Sequence, residues 1–288
     1  MNPRQFEFYA PETIDEALSL LTKFEGSKLL AGGHSLIPLM KLRIASPEVV
    51  VDINGIKELS HIKEEGREIR IGPLTRLSEV QFSPLLMKAC PMLPETAGLI
   101  ADPQVRNRGT VGGNLAHGDP ANDLPPAMIA LGASFVIRGP KGSHVIKAED
   151  FFLDLFTTRL EHDELLTEVV IPVHPPNTGM AYVKFERKVG DFSTVSVASR
   201  LTLGKDGKCT AAGIGLGGVA PTALKAVGAE KTLVGEKPTE ELVRRAAGKC
   251  AEISKPTSDL RGSAEYKREM TKVFAARSLN LALERSRK

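Results

Sequence analysis

The chain has 288 residues, of which 42% are hydrophobic and 25% charged, a composition typical of a globular protein with two or three packed units. Its 38 basic and 35 acidic residues leave a formal charge of +3 and are too dispersed for the basic stripe that nucleic-acid binding requires. The sequence contains neither the apolar core of a secretory signal nor the roughly 18 to 20 consecutive apolar residues of a membrane span. These features predict a cytoplasmic protein without a transmembrane segment.

The cysteines and histidines argue against metal chemistry in this chain. Cys90, Cys209 and Cys250 are far apart and form no C-x-x-C pair, so they indicate neither a disulfide framework nor a cysteine-ligated cluster. The six histidines show no spacing typical of metal ligands. We therefore expect no metal site, and we interpret the three cysteines as buried structural thiols.

The N-terminal segment has the pattern of a small α/β unit. Thr13 and Glu16 form a capping-box pattern, and the apolar residues that follow recur at helical spacing, which predicts a helix over 14–24. A short strand is predicted at 28–31, the sequence Gly-Gly-His-Ser at 32–35 interrupts it, and the β-branched run at 49–53 predicts a further strand.

The rest of the chain predicts an α+β arrangement. Short strands separated by turns follow residue 68, with helical stretches near 76–90 and 125–131. The run VHPPNTG at 173–179 has the composition of a linker. Beyond it, the segments AYVKFER, TVSVASRLTL and AAGIGLGGVA predict three strands of an antiparallel sheet, followed by helices near 239–253 and 263–284.

Two glycine-containing segments carry the functional signal. In LLAGGHSLIPLMKLR, residues 29–43, a strand runs into two glycines and Ser35, and such a turn can direct backbone N–H groups at an anion. A plain tight turn explains this first segment equally well. The second segment, residues 104–127, again places a hydroxyl residue beside a glycine pair. Two such turns, one from each N-terminal unit, predict a diphosphate held between two lobes.

Together, AGGHSLIPLMKLR and RNRGTVGGNLAHGDPANDLPPAMIALGA resemble the FAD-binding medium subunit of molybdenum hydroxylases of the carbon monoxide dehydrogenase and xanthine dehydrogenase type. The resemblance continues through DELLTEVVIP, KFERKVGDFSTVSVA and PTSDLRGSAEYKREM in the same order. It implies an FAD-binding fold of the PCMH type, in the vanillyl-alcohol-oxidase superfamily, with two α/β lobes and a C-terminal domain of a small antiparallel sheet with helices. The corresponding ranges are 1–56, 57–175 and 176–288.

The resemblance also implies a set of cofactor-binding residues and no catalytic residue. The two turns would hold the pyrophosphate, Asp123 would contact ribitol or ribose hydroxyls, and Lys184 would lie beside the isoalloxazine ring. For Asp123, helix capping is an equally good interpretation. The full set is Leu29, Leu30, Ala31, Gly32, Gly33, His34, Ser35, Ile100, Ala101, Thr110, Gly112, Gly113, Asn114, Asp123, Leu166 and Lys184.

Three features have competing interpretations. The run GIGLGG at 213–218 matches the dinucleotide fingerprint G-x-G-x-x-G, but Val-Ala-Pro follows it where a helix should begin, so we predict a glycine-rich strand. His34 stands where some oxidases of the superfamily attach flavin covalently, whereas the resemblance implies noncovalent FAD. Phe192 is either an aromatic residue near the flavin or a core ring.

The function implied by the resemblance is electron transfer. A molybdopterin-binding large subunit would oxidise the substrate, and a 2Fe-2S small subunit would pass electrons to the FAD of this chain, with assembly as a dimer of heterotrimers. The alternatives are a stand-alone FAD-dependent oxidase or reductase of the same superfamily and a non-catalytic nucleotide-binding module. Carbon monoxide, an aldehyde, a purine or another heterocycle all stay open as substrates, although the first turn resembles the carbon monoxide and aldehyde branch. The electron acceptor is open as well.

Overall fold

The computed structural model describes residues 2–287, and its first unit is a three-stranded parallel sheet with two helices. Its elements are β1 (Glu7–Tyr9), α1 (Ile14–Lys23), β2 (Lys28–Leu30), α2 (Leu36–Lys41) and β3 (Val49–Asp52). The strand order is β1-β3-β2. The Thr13 side chain accepts a hydrogen bond from Glu16 N, 3.2 Å away, so the predicted helix start is confirmed. The buried face of α1 packs on β3 in a small core that also includes Leu74 and Leu165.

The second unit is a five-stranded antiparallel sheet with helices inserted between its strands. Its elements are β4 (Ile62–Glu65), β5 (Glu68–Ile71), α3 (Leu77–Phe82), α4 (Pro84–Ala89), α5 (Met92–Gly98), α6 (Pro103–Arg106), α7 (Val111–Ala116), α8 (Leu124–Leu131), β6 (Ser134–Gly139), β7 (Gly142–Lys147), α9 (Ala148–Phe151), β8 (Phe152–Asp154), β9 (Thr157–Thr158) and β10 (Leu165–Pro172). The strand order is β4-β5-β10-β6-β7, and β8 and β9 form a separate pair.

The helical stretch predicted over 76–90 is wrong in one respect, because the structure divides it into α3 and α4. Ser83 has extended backbone angles, and its side chain accepts a hydrogen bond from Leu86 N at 3.3 Å. Proline disfavours helical angles in the residue before it, so Pro84 starts a new helix instead of continuing the first.

The third unit is a four-stranded antiparallel sheet covered by helices. Its elements are β11 (Thr178–Phe185), β12 (Val195–Leu203), β13 (Cys209–Gly217), β14 (Leu224–Lys225), α10 (Val227–Leu233), α11 (Glu240–Ile253) and α12 (Ala264–Arg285). The three strands and two helices predicted for this region are confirmed. Residues 173–177, within the predicted linker, lie outside any helix or strand between β10 and β11.

The glycine run at 213–218 belongs to strand β13 and the turn after it, as predicted. A Cβ atom on Gly215 would overlap the carbonyl oxygen of Pro126 in α8. The glycines therefore permit close packing of β13 on α8, and the run opens no helix.

The second and third units share apolar packing, and the core of the first unit also includes Leu74 and Leu165 of the second unit. Met180, Tyr182 and Ala198 of the third unit belong to the largest cluster, which otherwise consists mainly of second-unit residues. The domain ranges 1–56, 57–175 and 176–288 remain predictions, and their first and last residues lie outside the described part of the chain.

All three cysteines are buried, as predicted. Burial raises the pKa of the Cys90 and Cys250 thiols to about 12, so neither is a reactive thiolate at neutral pH. Within residues 2–287, the helices are all too short or too polar to cross a lipid bilayer.

Candidate functional site

The structure brings the two glycine turns into direct contact. A Cβ atom on Gly32 would overlap the carbonyl oxygen of Arg108 and would lie 2.9 Å from the Cα atom of Gly109. A Cβ atom on Gly113 would lie 3.9 Å from the Cβ atom of Ala31. The two turns therefore lie side by side, while the diphosphate predicted to be held between them stays a prediction.

The first turn presents unused hydrogen-bond donors. Gly33 has a φ of +77°, a left-handed conformation that favours glycine, and it turns the chain between β2 and α2. Within residues 2–287, no protein group accepts a hydrogen bond from the backbone N–H groups of residues 32–35. Ser35 makes no capping hydrogen bond, and His34 and Ser35 are exposed. Successive free N–H groups in a turn form an anion-binding concavity.

In the second turn, the side chain of Thr110 is already engaged. Its Oγ1 atom accepts a hydrogen bond from Gly113 N at 3.1 Å, and the residue is buried. The hydroxyl thus caps α7, while Gly112 packs against Pro73 and Gly113 lies near Ala31. Past the turn, Asn122 Nδ2 donates to the carbonyl oxygen of Asn114 at 2.7 Å, which connects the turn to Asp123.

A buried ionic cluster lies beyond this connection, where β11 of the third unit meets the start of α8. The Asp123 carboxylate accepts hydrogen bonds from the Tyr182 hydroxyl at 2.6 Å and from Lys184 Nζ at 3.1 Å. The ammonium of Lys184 also lies 3.1 Å from a carboxylate oxygen of Glu186, and only 2% of the Lys184 side chain is exposed. Burial raises the pKa of Asp123 to about 6, and the charge of Lys184 opposes that rise.

Residues 99–101 form the neighbouring wall. Lys184 Nζ donates to the carbonyl oxygen of Leu99 at 3.0 Å. Ala101 has a φ of 46°, a conformation that is unfavourable for a residue with a side chain. Arg106 Nη1 holds it there by donating to the carbonyl oxygens of Ile100 and Ala101, at 2.9 and 3.2 Å. The strained segment therefore abuts the ionic cluster.

Comparisons with known proteins identify the family of nearly the whole chain. The family described as the FAD binding domain in molybdopterin dehydrogenase matches residues 4–174, and the family described as the CO dehydrogenase flavoprotein C-terminal domain matches residues 180–282. The chain belongs to the FAD-binding medium subunits of molybdenum hydroxylases.

Two curated relatives and one solved structure illustrate the likeness. The carbon monoxide dehydrogenase medium chain of Hydrogenophaga pseudoflava is 45% identical over 287 residues, covering 99% of both chains. The medium chain from Afipia carboxidovorans is 43% identical and covers 100% of both. A structure of carbon monoxide dehydrogenase from Hydrogenophaga pseudoflava superposes with a TM-score of 0.97 at 46% identity, covering 99% of both chains. These findings confirm the predicted fold.

FAD is the cofactor of such subunits, and this medium subunit offers what its diphosphate requires. The free N–H groups of the first turn are donors for phosphate oxygens, and the missing Cβ atom of Gly32 lets the second segment pack directly against that turn. The contacts described above connect the parts of the site in this order: the first turn, the second turn, Asp123, Lys184 and the segment that contains residues 100–101. Leu29 and Leu30 are half-buried in β2, and Leu166 is buried in the same core as Ile100.

Two alternative interpretations made from sequence are wrong. Asp123 stands at the N-terminus of α8, but its side chain makes no capping hydrogen bond because Tyr182 and Lys184 occupy it. Phe192 is not a core ring, because 48% of it is exposed, with Arg261 over the ring at 5.9 Å. The roles of all the predicted residues toward FAD remain to be tested.

Sequence reasoning missed Tyr182 and Glu186, which complete the ionic cluster. A signal was available, since Tyr182, Lys184 and Glu186 are spaced by two residues and alternate residues of a strand share a face. The opposite face of β11 carries Ala181, Val183 and Phe185, which pack into the core of the third unit.

Proposed function

We propose that this chain is the flavin-carrying medium subunit of a three-subunit molybdenum hydroxylase of the carbon monoxide dehydrogenase type. The observation that carries the proposal is the contact between two glycine turns, one of which presents unengaged N–H groups. The match along the whole length to medium chains of carbon monoxide dehydrogenases supports the choice of branch.

The residues of the chain bind and orient FAD, which when bound supplies the electron-transfer chemistry. The backbone of 31–35 and 110–114 would hold the diphosphate, flanked by Leu29 and Leu30. Asp123 would accept a hydrogen bond from a ribitol or ribose hydroxyl while Tyr182 fixes its carboxylate. Ile100, Ala101 and Leu166 would exclude water from the ring.

Lys184 has the clearest electrostatic role. Its ammonium is withdrawn from water and held among Asp123, Glu186 and the carbonyl of Leu99, so its position is fixed. A fixed positive charge beside the ring would stabilise negative charge on the reduced cofactor. This burial supports the prediction that Lys184 lies beside the isoalloxazine ring. It argues against the alternative that Lys184 is an exposed, solvated lysine.

The subunit would work inside a larger assembly. A large subunit with the molybdenum cofactor would oxidise carbon monoxide, and a 2Fe-2S small subunit would relay the electrons to FAD and on to an external acceptor. Two such heterotrimers would form the complete enzyme in the cytoplasm. The names of the relatives, which are medium chains of carbon monoxide dehydrogenases, support this arrangement.

The test uses the native complex, purified through an affinity tag on this chain. We expect molybdenum, iron and FAD to copurify with it and carbon monoxide to reduce an added dye. Denaturation followed by filtration should release the flavin, because we propose that His34 forms no bond to it. Flavin retained on the protein, or a chain that purifies alone and oxidises a substrate by itself, would instead support the stand-alone oxidase.

A further inference from the structure

A polar network lies behind the two glycine turns and joins them. Asn54, which follows β3, donates from Nδ2 to the carbonyl oxygen of Ala31 at 2.8 Å. Arg76, which precedes α3, donates from Nη2 to Asn54 Oδ1 at 2.7 Å and from Nη1 to the carbonyl oxygen of Arg108 at 2.8 Å. One side-chain pair thus reaches from the first turn to the second.

The network acts on the orientation of a peptide group. In a trans peptide the C=O and N–H bonds point in opposite directions, so a carbonyl of Ala31 held toward Asn54 directs the N–H of Gly32 away from it. Carbonyl oxygens repel an anion and N–H groups attract it. Holding the carbonyls of Ala31 and Arg108 in hydrogen bonds removes two acceptors from the anion-binding surface.

Arg76 is itself held in place beside the turns. Its backbone bridges to Thr110, and its N–H donates to Glu79 Oε2 at 2.7 Å. Its guanidinium is partly desolvated, and it forms no ion pair with a carboxylate among residues 2–287. Burial lowers the pKa of Arg76 and the positive charge of the neighbouring Arg108 lowers it further, whereas the carboxylates of Glu79 and Asp52 oppose the shift. Two positive charges therefore stand beside the turns.

We propose that Asn54 and Arg76 form an interlobe clasp, a pair of positioning residues that sets the geometry of both turns for the diphosphate of FAD. This inference rests on the proposed function of the chain. The clasp touches the backbone of the turns and leaves their free N–H groups for the ligand.

The experiment is a titration of the deflavinated subunit with FAD, followed by quenching of flavin fluorescence. We expect Arg76→Gln to weaken FAD binding roughly 10-fold to 100-fold, because it removes charge-assisted hydrogen bonds that shape the site. Asn54→Ala should weaken FAD binding as well. Because the two residues act as one unit, the double variant should bind FAD with about the affinity of whichever single variant binds it less tightly. Arg76→Lys keeps the charge but lacks the planar fork, so it should not restore wild-type affinity.

The matched control is Arg285→Gln, which removes an arginine bonded to a carbonyl oxygen, that of Met180, and to the carboxylate of Glu95. It should bind FAD like the wild type. If Arg76→Gln and the milder Arg76→Lys both bind FAD within about twofold of the wild type, the clasp is overturned, even if they lower the unfolding free energy. A wild-type subunit that binds no FAD would instead overturn the proposed function.

Discussion

At the scale of single residues, the carboxylate of Asp123 dominates the electrostatics of the site. It is buried, and two donors from one strand hold it. Because buried charge is unfavourable unless it is paired and hydrogen-bonded, the stability of the folded chain depends on these two donors. This dependence can be measured as a change in the unfolding free energy of the flavin-free protein.

Tyr182→Phe removes the shorter of the two hydrogen bonds and leaves the ring in place. We expect it to lower the unfolding free energy of the flavin-free protein by about 1.5 to 3 kcal/mol, since the acceptor is a buried carboxylate. Urea unfolding near neutral pH measures the loss. Tyr266→Phe is the control, because its hydroxyl makes no hydrogen bond among the described residues. Equal losses in the two variants would contradict the assignment.

Asp123 also predicts a pH dependence. Its pKa is raised by burial from 3.8 to about 6, so the folded state favours the protonated form. The stability contributed by this group is fully present below pH 3.8 and is lost as the pH rises through about 6. Relative to Asp123→Asn, the unfolding free energy of the wild type should fall across this window by on the order of 3 kcal/mol. Parallel pH profiles of the two proteins would refute the prediction.

Single residues of the site could be predicted where one continuous segment of the sequence contains the whole motif. The glycine turns stand in continuous segments and could be found from the sequence, whereas their direct contact is visible only in the fold. Asn54 and Arg76 could not be predicted, because their partners lie 23 and 32 residues away in sequence and depend on how the first two units dock.

At the scale of elements, close packing between β13 and α8 requires glycine at the positions of β13 that face the helix. Gly215→Ala would place a methyl group on the backbone oxygen of Pro126, which cannot move without its helix. We expect a loss of about 3 kcal/mol or more in unfolding free energy. Gly248→Ala in α11 is the control, because nothing lies within 4 Å of its Cβ position, and it should stabilise the protein by about 0.5 to 1 kcal/mol. If both substitutions are tolerated, the packing argument fails.

Elements with a strong local signal were predicted, and elements fixed by tertiary contacts were not. Helix α1 begins at an N-cap threonine and β3 is a β-branched run, so both follow from local rules. Helices α5 to α7 span four to seven residues each and include prolines and glycines, so no periodicity reveals them. The order β1-β3-β2 depends on parallel pairing between distant segments.

At the scale of the whole molecule, the shared core predicts which parts unfold together. Because residues of β11 and β12 complete the core of the second unit, the second and third units should exchange their amide hydrogens as one cooperative body. The first unit, whose apolar cluster is the smallest of the three, should exchange faster in the flavin-free protein and slow down when FAD binds. Hydrogen exchange with and without FAD measures both effects. Independent exchange of the second and third units would contradict the prediction.

Strand β11 closes the site from the third unit, and this has a consequence for biosynthesis. Lys184 and Glu186 emerge from the ribosome long after the glycine turns, so a nascent chain that ends before them has both turns but lacks the ionic cluster. Under the proposed function, the flavin site would therefore be complete only after β11 has been translated.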